Sequence, residues 1–252
     1  MAGFKRYMIF LVHNVQTGLV AAKVMESADF DNERWNKIGI LQEGEPIPFV
    51  VKYIAQKQVE QREIILMDFA NMESLDCIIE RNQDLSPGTL RAIAKQLFEG
   101  LRLMHSKGFV HGNIRSKNVF LHNPHGSNRV IVKIAGFDMV KPEKRQYREM
   151  KSKAGIVSLE RQLSKAPEQV IRDGKVDAKT DIWSAGVVLF QLVGFEYLIK
   201  ATTVPELQTR FTAEQALQHH YFTGPQVQLE ISTEAKQVAS SALQAQQNGD
   251  AI

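Results

Sequence analysis

The feature that most constrains this chain is a long helical period that gives way to β-rich runs. Apolar residues fall at Leu90, Ile93, Ala94, Leu97, Leu101 and Met104, between Pro87 and Gly108. This spacing places them on one face of a helix opened by Ser86 and Pro87. Residues 119–121 and 130–135 then form runs rich in Val, Ile and Leu, joined by Asn, Pro, Gly and Ser at 123–128. Such a pattern predicts a β-hairpin. The helix is framework and says nothing about activity.

Composition bounds the rest. With 252 residues, 44% hydrophobic and 23% charged, the chain has apolar side chains enough for a good core and two lobes, and it is not a disordered chain. A formal net charge of +3 gives no argument for nucleic acid. Cys77 is the single cysteine, which excludes an internal disulfide framework and suits a reducing, cytoplasmic compartment. The apolar run at 7–12 stops at His13, too short for a signal segment, and no run approaches a membrane span.

The N-terminal half reads as β-rich. Runs at 8–12 and 18–25 flank a turn at 13–18, a second hairpin. Residues 30–42 carry helical spacing at Phe30, Ile38 and Leu41, with Asp31 and Glu33 near the start. Residues 63–70 form a buried strand running into a linker. After Gly224 the chain turns rich in Gln, Ala and Ser, and 223–252 is expected to be a polar, flexible tail.

His111, Asn113 and Asn118, followed after the hairpin by Gly136, Phe137 and Asp138, resemble the eukaryotic protein kinases. In that family a His-Arg-Asp motif, a downstream Asn and an Asp-Phe-Gly motif flank such a hairpin. The resemblance extends to Lys23 in a Val-Ala-Ile-Lys-like strand, to Ala166, Pro167 and Glu168, to Asp181, and to Arg210 as the ion-pair partner of Glu168. It implies an α+β, bilobal kinase-like fold over 3–222, with a small β-rich lobe over about 3–67, a hinge at 68–71 and a mainly helical lobe at 72–222. That second lobe is shortened, because the span from Val193 to Arg210 leaves out a helix that commonly docks substrates.

The resemblance also implies a nucleotide site. Ala21, Met67, Ala70 and Phe120 would line an adenine pocket, with Lys23 on the phosphates. Asn113 stands at the catalytic Asp position, Arg115 where a Lys meets the transferred phosphate, and Asn118 and Asp138 are the metal candidates. The departures fall on the chemistry. An amide at 113 has no proton-accepting state near neutral pH. Gly112 replaces an Arg, Gly136 replaces the metal-binding carboxylate, and Asp138 arrives two residues late. Lys37 falls where the family's helix carries a Glu, with Glu33 a turn earlier as a substitute. Gly3 and Phe4 are the remnant of a glycine-rich loop, with Lys5 at the place of its last glycine.

These losses imply a pseudokinase, a binding or scaffolding module for protein partners rather than nucleic acid or membrane, with ATP bound weakly or not at all and magnesium handling depleted. The alternatives are a residual ATP-dependent Ser/Thr kinase and a truncated product without independent stability. Lys141, Lys144, Arg145, Arg148, Lys151 and Lys153 mark an activation-segment-like stretch, with Ser152, Ser158 and Ser164 as candidate phosphorylation sites; such a charge run reads as a solvated loop, the sharper alternative being a docking site for an acidic partner or phosphoprotein.

Overall fold

The computed structural model describes residues 7–81, 85–127, 129–137, 165–170, 177–193 and 210–224. β1 (Tyr7–Asn14) and β2 (Gly18–Glu26) pair antiparallel, Tyr7 opposite Met25 and Asn14 opposite Gly18. The turn is tighter than one spanning 13–18. Asn14 Oδ1 accepts from the backbone N–H groups of Gln16 and Thr17 at 2.8 and 3.2 Å, and Gly18 takes a φ of +76°. β3 (Tyr53–Val59) and β4 (Arg62–Asp68) complete a four-stranded antiparallel sheet in the order β1-β2-β4-β3. That order places β2 beside β4, with Ala21 opposite Met67.

α1 (Asn32–Leu41) begins later than a helix over 30–42 would, because Asp31 caps it by accepting from the Arg34 N–H at 3.0 Å. Phe30 lies before the cap in extended backbone and is buried. The helix turns Ile38 and Leu41 into the core.

The helical part contains α2 (Leu75–Glu80), α3 (Pro87–Ser106), α4 (Pro167–Val170), α5 (Ala178–Val193), α6 (Ala213–Leu217) and α7 (His220–Thr223). It also holds the hairpin of β5 (Val119–His122) and β6 (Ile131–Ile134). All six residues of the α3 period are buried, along with Phe98 and Gly100. A Cβ at Gly100 would fall 2.8 Å from Ile134 Cδ1 and 3.2 Å from Phe49 Cβ, so glycine lets β6 and the 49–51 linker close on α3. There the linker bonds to the hairpin: Ile134 N–H donates to Phe49 O at 2.8 Å and Val51 N–H to Ile134 O at 2.9 Å.

A column of rings continues the core across this junction. Trp35 meets Tyr53 at 6.0 Å, Tyr53 meets Phe137 at 5.5 Å, and Phe137 contacts Phe109 at 5.2 Å and His111 at 4.6 Å. The fold is therefore α+β, a β-sheet lobe packed on a helical one. Asp138, the glycine-loop remnant at Gly3 to Lys5, the basic stretch with its serines, the shortened segment after Val193 and the tail from 225 lie outside the described residues.

Candidate nucleotide-site region

Asp181, in the first turn of α5 and wholly buried, anchors the loop that carries the site. Its carboxylate accepts from the backbone N–H groups of His111 at 2.8 Å and Gly112 at 2.7 Å, and from His105 Nε2 at 2.9 Å. Gly112 has a φ of +71°, which its lack of a Cβ permits. The His111 ring donates from Nε2 to Ala135 O at 3.0 Å and accepts at Nδ1 from the Asn113 N–H at 3.2 Å. Burial pushes His111 down to about 4 against a smaller upward pull from Asp181, so the ring is neutral, in agreement with that bonding pattern. Glu168 is fixed from three sides. Arg210 reaches its two oxygens at 2.7 and 3.2 Å, and Thr180 Oγ1 donates to it at 2.9 Å.

The loop ends beneath the sheet, where a cavity of about 350 Å³ opens between β1, β2, the strand-to-linker segment after Met67 and the β5–β6 hairpin. Ala21, Lys23, Met67, Ala70, Arg115, Asn118 and Phe120, all expected at a nucleotide site, line it together. Its lining is of two kinds: Ala21, Met67, Ala70 and Phe120 are apolar, while Lys23, Arg115 and Lys117 bring positive charge, Lys117 lying 3.6 Å from the Asp76 carboxylate. Lys23 is buried with Nζ 4.4 Å from the centre of the Tyr7 ring. The carboxylate of Asp68 is taken up by the Lys52 N–H at 3.2 Å and by Lys133 at 3.6 Å.

Asn113 contributes a donor, not a base. Its Nδ2 donates to Gly136 O at 2.9 Å, and Asn118 Nδ2 donates to Asn113 O at 2.8 Å. Gly136 has a φ of +78°, and a Cβ there would fall 2.6 Å from Asn118 Nδ2 and closer still to its Cγ and Oδ1. The three residues thus close a small network in which Asn118 occupies the space a side chain at 136 would need. A hard cation takes carboxylate and carbonyl oxygens, and at position 136 the neutral amide of Asn118, its Oδ1 nearer than its Nδ2, stands where a carboxylate would project. No group of three or more His, Cys, Asp or Glu able to hold a metal occurs among the described residues.

The helix residues expected near Lys23 are elsewhere. Lys37 and Glu33 pair with one another at 2.7 Å and are exposed, with 60% and 80% of their side chains in solvent. The inward polar residue of α1 is Arg34, which donates to Val110 O at 3.3 Å and His111 O at 2.5 Å and lies 5.1 Å from the Phe109 ring centre. Sequence reasoning passed over it, though it precedes the buried Ile38 by one helical turn and so shares its face. Tyr7, Tyr53 and Lys117 were also missed. Only pairing registers and the loop fold bring them to the cavity.

Comparison with known proteins agrees with this architecture. The family description "Protein kinase domain" matches residues 8–248. The human serine/threonine-protein kinase ULK1 is 27% identical over 184 residues, which is 71% of this chain and 16% of that protein. The serine/threonine-protein kinase pakF of Dictyostelium discoideum is 29% identical over 175 residues, 69% of this chain and 14% of its own length. The CST20 kinase of Candida albicans is 26% identical over 216 residues, 79% of this chain and 17% of that protein. The chain thus spans less than a fifth of each of these relatives. With the β-sheet lobe, the Asp181-anchored loop and the buried Glu168–Arg210 pair in place, the chain belongs to the protein kinase domain family.

Proposed function

We propose that this protein is a pseudokinase, a folded kinase domain that binds protein partners inside the cell and transfers no phosphate. One observation carries the reading: the closed network of Asn113, Asn118 and Gly136. It supplies neither the carboxylate that would accept a substrate proton nor the one that would hold a metal, and it fills the second position with an amide. Losing a general base costs roughly a hundred- to ten-thousand-fold in rate, and losing metal positioning adds to that. The cavity keeps its apolar slot and its cations, so it is read as a nucleotide pocket without turnover.

The test is incubation of the purified chain with magnesium and γ-labelled ATP. The expected result is no label on the protein or on a generic basic substrate. Label that disappears in Lys23→Met would replace this reading with a residual Ser/Thr kinase, which the joint presence of Lys23, Arg115 and Asn118 in one cavity favours. A truncated product unable to stand alone is disfavoured by the core that runs unbroken from Trp35 to His111. A cooperative thermal transition is expected, and its absence would revive that third reading.

A further inference from the structure

The four-stranded sheet has two edge strands, and they are finished differently. β3 carries Gln56, Lys57 and Gln58, and its pairing with β4 shifts register between Tyr53 and Ala55. A Lys and an irregularity of this kind keep a further strand from adding to an edge. β1 has neither device. Its pairing with β2 runs unbroken through all 8 residues, and residues 7–13 contain no Lys, Arg, Asp, Glu or Pro.

Four consecutive apolar side chains of β1 stand about half in solvent: Met8 at 47%, Ile9 at 57%, Phe10 at 46% and Leu11 at 55%. Strand alternation puts Met8 and Phe10 on one face of the sheet, beside Val24 and Ala22, and Ile9 and Leu11 on the other, beside Lys23 and Ala21. A body laid on either face would cover two of the four and leave two in water. A strand added to the outer edge covers all four, because its own side chains alternate in step. Among the described residues nothing pairs with that edge, since the sheet runs β1-β2-β4-β3.

We propose that β1 is a dimer interface, in which the β1 strands of two copies of this chain pair antiparallel about a two-fold axis at Phe10. The strand this edge accepts must be uncharged and apolar on both faces, and β1 itself meets that requirement. Centred on Phe10, the pairing sets Phe10 against Phe10, Ile9 against Leu11 and Met8 against Val12, with Tyr7 against His13 at the ends. Apolar side chains thus meet on each face and no like charges are opposed. The pairing adds about six to eight main-chain hydrogen bonds. Two copies cover roughly 1,000 Å², the lower limit of specific interfaces, so the dimer is weak, with a dissociation constant on the order of 10 μM. The joined sheet ends in β3 on both sides, where Lys57 and the register shift stop further addition, and association closes at two.

Sedimentation equilibrium of the full 252-residue chain, over about 1–100 μM, tests this. A monomer–dimer equilibrium is expected. Phe10→Lys sets two ammonium groups against each other at the axis and should weaken the dimer on the order of a hundredfold. Ile9→Glu or Leu11→Lys alone should weaken it roughly tenfold or more. The double variant, in which each new carboxylate faces an ammonium group of the other copy, should recover most of that loss. The thermal midpoint of each variant serves as the folding control. A monomer throughout the range, a dimer indifferent to Phe10→Lys, no recovery in the double variant, or growth beyond two copies would each overturn the inference. None of these readouts depends on phosphate transfer, so failure here is distinct from failure of the pseudokinase reading.

Discussion

Gly136→Asp puts back the carboxylate that a kinase would carry at this position, and the structure predicts harm in place of repair. A side chain at φ +78° costs about 1 kcal/mol even for Asp, which tolerates the left-handed region better than most residues. Its Cβ falls on the Asn118 amide, 2.6 Å from Nδ2, so Asn118 must rotate and give up its bond to Asn113 O. A buried donor or acceptor left without its partner costs about 1–3 kcal/mol. The sum is about 2–4 kcal/mol, which for a chain of this size lowers the thermal midpoint by roughly 5–15 °C. The assay is thermal unfolding with and without magnesium, for Gly136→Asp, Asn118→Ala and the double variant. Asn118→Ala should soften the second substitution, with a coupling of about 1 kcal/mol or more, because it removes the atoms in the way. If Gly136→Asp is as stable as the parent, or if magnesium raises its midpoint by several degrees, the closed network does not exclude the metal and the reasoning fails.

Other substitutions follow from the same geometry. Asn113→Asp sets a carboxylate oxygen against Gly136 O where Nδ2 now donates at 2.9 Å, so it should destabilise by about 1–3 kcal/mol, less at pH 5 than at pH 8, without creating phosphate transfer. His111, held down to about 4, resists a proton that the unfolded chain accepts near 6.5. Stability should therefore be full above pH 7 and fall by about 2 kcal/mol on going to pH 5, a slope that His111→Gln flattens in pH-dependent denaturation. Arg210→Met strands the Glu168 carboxylate and should cost about 3–5 kcal/mol in urea unfolding, whereas Arg210→Met with Glu168→Leu recovers much of it. Arg34→Met, which frees the Val110 and His111 carbonyls from α1, should lower the midpoint and speed hydrogen exchange at residues 110–112 while leaving adenosine affinity within about twofold.

The parts of the fold legible in the sequence are those set by short-range period. The α3 stripe and both hairpins stand where alternation and turn residues place them, within one or two residues. Markers spaced far apart, such as Glu168, Asp181 and Arg210, were legible because each buried ion or carboxylate needs a partner, and the kinase pattern names which. The α1 residues were harder. Lys37 was matched to the family's Glu by its place along the chain alone, and on a helix each position turns a side chain by about 100°, so a shift of a few residues decides which face it takes. Arg34 holds the inner place, and Lys37 turns to Glu33 in solvent. The network at Gly136 was half visible: the missing carboxylate could be read, but not that Asn118 fills the room it left, since that follows from the φ of +78° and the loop's return.

Those two findings bear on each other. In a phosphoryl-transfer enzyme the helix and the loop are tied through groups that also handle the nucleotide, so their geometry depends on what occupies the pocket. Here Arg34 ties α1 to the carbonyls of Val110 and His111, Asp181 holds the amides of His111 and Gly112, and Asn113 and Asn118 tie the loop to Gly136. None of these bonds uses the phosphates of a nucleotide or a metal ion. The loop is thus held by the protein's own groups, and the shape it presents should persist with the pocket empty. For a catalyst that independence has little use. For a protein that works by offering a fixed surface, it is what the role requires, and a nucleotide entering the pocket would then add stability by mass action without reshaping the loop.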